Sequence, residues 1–197
     1  MDVKQIHFDA IISEIRDECS NIFTKKLADY GPTWLFFRDI SLCDQLWIKI
    51  RRIRNIEEAG GVTAVDEGRE PEFIGIINYA IIMLMKIRFP DTFPSSDSVV
   101  VNTDLVSTLD LDRALQCYQS CFSEIIDLLS KKNHDYGNAW AEMHTKSLTD
   151  QIIIKIARIR NILANHGHVQ ISENIDAQLM DVVNYSLFSL IRLRCEA

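Results

Sequence analysis

Apolar side chains recur three and four positions apart along most of the chain, the period of a helix with one buried face. Ile12, Ile15, Ile22 and Phe23 follow it near the start, Ile125, Leu128 and Leu129 past the middle, and Ile152, Ile156, Ile159 and Leu163 further on. These runs predict helices over about residues 3–28, 42–59 and 72–89, and again over 110–134, 148–165 and 175–194. Gly31 and Gly137 stand where the first helix of each set needs a left-handed residue to close it. Ser41 and Ser147, each followed three residues later by an aspartate (Asp44, Asp150), predict capped starts for the second helices.

The two sets repeat one another. The segment TKKLADYGPTW at residues 24–34 returns as SKKNHDYGNAW at 130–140, and LCDQLWIKIRRIRNI at 42–56 returns as LTDQIIIKIARIRNI at 148–162. Residue 25 matches residue 131, and the offset of 106 holds without a gap: residues 24–88 and 130–194 share about 24 identities in 65 positions. Self-similarity at this level fixes the architecture before any single helix does. The expected fold is all-α, a helical bundle of two tandem three-helix repeats related by a pseudo-twofold axis, as two subunits of a homodimer would be. The N-terminal repeat spans residues 1–89 and the C-terminal repeat 110–197. A linker over 90–109, rich in Pro, Ser and Asp, joins them into one globular unit.

Composition narrows the partners. A net charge of −7 disfavours long nucleic acid, whose backbone attracts a basic surplus. No apolar run approaches the roughly 20 residues that span a bilayer, and the acidic start of the chain lacks a signal-peptide core, so the expectation is a cytoplasmic protein without a membrane partner. The five cysteines form no CxxC motif and read as buried free thiols. His166 and His168 alternate in a loop without the ligand pattern that zinc requires. Dimerisation of the whole chain stays open.

Repeated polar residues need a reason other than packing. Gln151, Lys155 and Arg158 form a stripe at i, i+4 and i+7 beside an apolar one, repeated as Gln45, Lys49 and Arg52. Such a stripe is either a solvated face of snorkelling side chains or a cationic wall for a phosphate. Lys132, Asp135, Tyr136 and Trp140 crowd a helix end, either as a cap with packed rings or as a platform on which a base stacks while the lysine meets phosphate. Asp181 and Asn184 share a helix face, with Glu173 and Asp176 before them; acids in such a group either hold Mg²⁺ through oxygen ligands or pair with Lys155 and Arg158. The first half has Gly75 in place of Asp181 and Glu70 in place of Asp176, so the second half reads as the more complete site.

The combination KxxDYGxxW, SLTDQIxxKIxRI and DVVNYSL resembles the nucleotide modification associated domain 1 family, in tandem copy. The resemblance implies a distant kinship with the all-α nucleoside triphosphate pyrophosphatases of the MazG and dimeric dUTPase type, helical bundles that hold Mg²⁺ on carboxylates and release monophosphate and pyrophosphate. It makes Asp181 the counterpart of their third-helix aspartate. Gln178 stands where they carry a glutamate, and their EExxE helix has no clear counterpart here. The resulting expectation is a nucleotide-binding protein that either only binds or, with Mg²⁺, hydrolyses a (modified) nucleoside triphosphate to monophosphate and pyrophosphate, with Lys132, Asp135, Tyr136, Trp140, Gln151, Lys155, Arg158 and Asn184 contacting the nucleotide and Glu173, Asp176 and Asp181 contacting Mg²⁺. The alternative is a non-catalytic interaction or regulatory module with a degenerate site.

Overall fold

The computed structural model describes residues 3–94, 108–165 and 174–196. Among these residues six α-helices and two short 3-10 turns carry the regular structure. Helix α1 spans Val3–Tyr30, α2 Asp39–Glu58, α3 Glu70–Arg88, α4 Leu111–Tyr136, α5 Thr145–Ala164 and α6 Ile175–Glu196. The 3-10 turns, Thr33–Phe36 and Ala139–Glu142, follow the first helix of each repeat. Both repeats thus have the same element order.

The helices form three layers of two. In the middle, α3 packs on α6; α2 and α5 cover them from one side and touch each other, and α1 and α4 do the same from the other. Like therefore meets like across a pseudo-twofold axis in every layer. A helix enclosed on all sides has no polar face, and α3 follows that rule: Phe73, Ile74, Ile76, Ile77 and every residue from Ala80 to Lys86 are buried. The outer helices keep a single buried stripe, on α1 Phe8, Ile12, Ile15, Cys19, Phe23 and Leu27, spaced three or four apart.

Ion pairs also obey the axis. Arg54 of α2 lies 3.8 Å from Asp150 of α5, and Arg160 of α5 lies 3.4 Å from Asp44 of α2. Arg88, in the last turn of α3, reaches Glu124 at 3.0 Å and Asp176 at 3.3 Å in the second half. Its equivalent Arg194 reaches back to Glu18 and Glu70 of the first half, both at 2.6 Å. Burial opposes the charge on Arg194, but its bonds to the two glutamates prevail and raise its pKa.

Several local expectations shift. Gly31 and Gly137 close α1 and α4 in the left-handed region, at φ 65° and 58°. Ser41 and Ser147 are not caps: α2 and α5 each begin two residues earlier, and His144 Nδ1 accepts the Lys146 amide at 3.2 Å. The 3-10 turns, seated by Trp34 and Trp140, deliver the chain to the helix start sooner than the serine spacing implied. Four cysteines are buried as expected, whereas Cys195 is exposed. Burial pushes the Cys19, Cys43 and Cys121 thiols up to about 12. The expected linker starts inside the fold, because Phe93 is buried edge-on against Trp34 with ring centroids 5.2 Å apart. None of the described helices is long and apolar enough to cross a membrane.

Candidate functional site

Each half holds a cleft between its first and third helices and the 3-10 turn that follows the first. The C-terminal cleft, about 390 Å³, is lined by eleven residues, among them Lys132, Tyr136, Trp140, Asp181, Asn184 and Tyr185. The N-terminal cleft is about 850 Å³. Moved back by 106 residues, every one of those eleven positions lines the N-terminal cleft as well. Five are identical in type: Lys26, Tyr30, Trp34, Asn78 and Tyr79. The repeat has therefore kept a concavity, and its volumes fall within the usual range of small-molecule sites, ~300–1,000 Å³.

In the C-terminal cleft Asp181 is the hub. Its Oδ1 lies 3.1 Å from Lys132 Nζ on α4, and its Oδ2 lies 2.7 Å from Lys155 Nζ on α5. One carboxylate on α6 thereby ties down both neighbouring helices. Burial, and then the negative charge of Asp181, raise the Tyr185 hydroxyl pKa. Trp140 stacks on Phe188 with centroids 4.6 Å apart and donates its indole N–H to Asn133 Oδ1 at 3.0 Å. Asn133 in turn donates to Asn138 Oδ1 at 2.6 Å. Asn184 is buried and its Oδ1 has no partner among the described residues.

In the N-terminal cleft the same positions are wired differently. Gly75 stands in place of Asp181, and the Lys49 side chain folds over it; a Cβ built on Gly75 would lie 2.7 Å from Lys49 Cε and 2.9 Å from Nζ. The acid that holds Lys49 sits one turn earlier on α3: Glu72 takes Lys49 at 3.0 Å and Arg52 at 2.6 Å. Lys26, the equivalent of Lys132, lines the cleft exposed and without an ion pair among the described residues. Leu27 replaces Asn133, so the buried Trp34 Nε1 has no acceptor there. A buried donor left in that condition costs about 1–3 kcal/mol. Asn78, by contrast, is satisfied: Tyr118 of the other half donates its hydroxyl to Asn78 Oδ1 at 2.5 Å.

The predicted residues divide accordingly. Lys132, Tyr136, Trp140, Asn184 and Asp181 meet in one cleft, with Lys155 bound to Asp181 beneath them. Asp135 is exposed beside His134, and Gln151 and Arg158 do not line the cleft. Asp176 belongs to Arg88 across the axis. It is five residues from Asp181, about 140° around α6, so the two acids point apart. Glu173, His166 and His168 lie outside the described residues. No group of three or more His, Cys, Asp or Glu able to hold a metal ion occurs among the described residues. Because two ammonium groups engage both oxygens of Asp181, the residues present do not fit Mg²⁺. Sequence reasoning missed Asn133 and Tyr118 as determinants of the clefts. The mismatch Leu27/Asn133 in the repeat alignment, and Ile12 opposite Tyr118 where the same offset is carried upstream of it, were the available signal.

No curated protein and no solved structure matches the chain. A family model does, twice: nucleotide modification associated domain 1 covers residues 26–87 and 132–193, again offset by 106 and spanning nearly all of both clefts. The chain belongs to the nucleotide modification associated domain 1 family, as a tandem pair of that domain.

Proposed function

We propose that this protein binds a nucleotide, with the base among the tryptophan and tyrosine rings of a cleft and the phosphates at its lysine edge. The observation that carries the reading is the retention, at all eleven equivalent positions, of a concave wall with lysine, aromatic rings and asparagine in each half. Packing alone asks for apolar volume there and has no use for a repeated lysine and asparagine. Rings supply sequence-tolerant stacking, and lysine supplies a point charge for phosphate.

The reading is of binding, not turnover. Hydrolysis to monophosphate and pyrophosphate needs carboxylates to hold Mg²⁺ and activate water. Asp181 and Asp176 are instead engaged by Lys132, Lys155 and Arg88. The same pairs support a second reading, a structural or regulatory module whose repeated charges neutralise one another. Thermal unfolding with a panel of ribo- and deoxyribonucleotides separates the two. A ligand at a hundred times its Kd stabilises the native state by about 2.7 kcal/mol. For a chain of this size that raises Tm by roughly 5–10 °C. A panel that leaves Tm unmoved would favour the second reading.

A further inference from the structure

We infer that the N-terminal cleft, and not its C-terminal twin, is the one that receives the ligand, and that this ligand pairs an anionic group with a planar ring bearing a hydrogen-bond acceptor. The inference deepens the nucleotide reading and rests on it. Asp181 is an anion built into the C-terminal cleft. It occupies Lys132 and Lys155 and draws α4, α5 and α6 together, and the cleft has less than half the volume of its twin. Gly75 removes that anion from the N-terminal cleft. Two basic side chains, Lys26 and Lys49, still line it, and among the described residues only Lys49 has an internal acid, Glu72. The other acids on the wall, Glu18 and Glu70, are both bound to Arg194. The charge left to be answered among the described residues is the Lys26 ammonium; the space of the Asp181 side chain is taken here by Lys49, a second cation, and not by an anion.

The second, independent mark is Trp34. It is more than nine-tenths buried, it lines the cleft, and its indole N–H lacks the acceptor that Asn133 gives Trp140. A ring nitrogen or carbonyl oxygen of a heterocycle seated against the indole answers that donor once the side chains covering the N–H give way. An anion without a ring answers Lys26 alone, so inorganic pyrophosphate is a weaker ligand than a nucleoside triphosphate.

The test uses the full-length protein, the common ribo- and deoxyribonucleoside triphosphates, and pyrophosphate as the ring-free probe. Binding is read by calorimetry and by fluorescence of a protein retaining only Trp34 (W47F/W140F). The Trp34 signal changes on binding. Lys26→Met, an exposed change that spares the core, weakens binding roughly tenfold, as loss of a charge-assisted contact does. Lys25→Met, its exposed neighbour outside the cleft, stays within about twofold, the level expected without a direct contact. Gly75→Asp installs the internal anion and abolishes binding. Binding that survives Lys26→Met and Gly75→Asp but fails on Lys132→Met overturns the N-terminal assignment and leaves the nucleotide reading intact. Failure of every triphosphate to bind the unaltered protein overturns the reading itself, and the inference with it.

Discussion

The two halves solve one electrostatic problem in two ways. Each places a lysine at the same point of its second helix, Lys49 or Lys155, facing its third helix. In the C-terminal half the acid that answers it is Asp181, which also takes Lys132 from α4, so one carboxylate links three helices. In the N-terminal half the acid is one turn earlier, at Glu72, where the other copy has the buried Gln178, and it pairs twice with α2 and not with α1. The helices in both halves are tied by such pairs, but the C-terminal cleft has less than half the volume of its twin. Moving a carboxylate by one turn thus leaves the fold unchanged and changes which side chains of the cleft it engages.

The sharpest way to break this comparison is through the buried amides. Asn78 depends on Tyr118, whereas the repeat places Ile12 at the position equivalent to Tyr118, and Asn184 Oδ1 lacks a partner among the described residues. Tyr118→Phe should lower stability by about 2 kcal/mol in urea unfolding, since it strands a buried acceptor. Asn184→Leu should change it by less than about 0.5 kcal/mol or stabilise, since nothing is stranded. Equal losses at both sites would show that the halves are not wired differently after all. A smaller contrast lies in the crossing arginines. Arg194 is the more sheltered, with side-chain exposure of 25 % against 36 % for Arg88. Arg194→Ala should cost about 1 kcal/mol and Arg88→Ala about half of that, the range of partly exposed pairs. The smallest effect concerns Glu57, a buried acid whose counterpart is Leu163. Burial raises its pKa above 4.5, against the pull of the Thr149 hydroxyl and Arg69. The folded state therefore holds the proton more tightly than the unfolded one, and stability falls as pH rises from about 4.5 through the folded value. Glu57→Gln should flatten that part of a Tm-against-pH curve and leave the acid limb unchanged.

The offset of 106 made the architecture readable from the chain alone, because packing imposes its period on every turn. The left-handed caps at Gly31 and Gly137 were readable for the same local reason. Four of the residues lining the C-terminal cleft, Lys132, Tyr136, Trp140 and Asn184, were identified because they recur as polar or aromatic types at equivalent places; Asp181 was identified without recurring. What stayed hidden was pairing across the axis. That Asp176 would belong to Arg88, or that Tyr118 would serve Asn78, depends on which helix ends meet, and no local periodicity encodes it. Gly75 shows the limit most plainly. In the sequence it makes the first half look the poorer site, since a carboxylate is missing. In three dimensions its place is taken by the Lys49 side chain, and the cleft around it is the larger of the two.

The crossing of Arg88 and Arg194 carries one last implication. Each copy of the domain ends its third helix on acids that belong to the other, so neither half is a self-sufficient unit despite sharing a common ancestor. A substitution at Glu18 or Glu70 is felt at the far end of the chain, and one at Glu124 is felt near its middle. The duplicated pair is held to joint change along this seam, even as the hollows on either side of it drift towards different tenants.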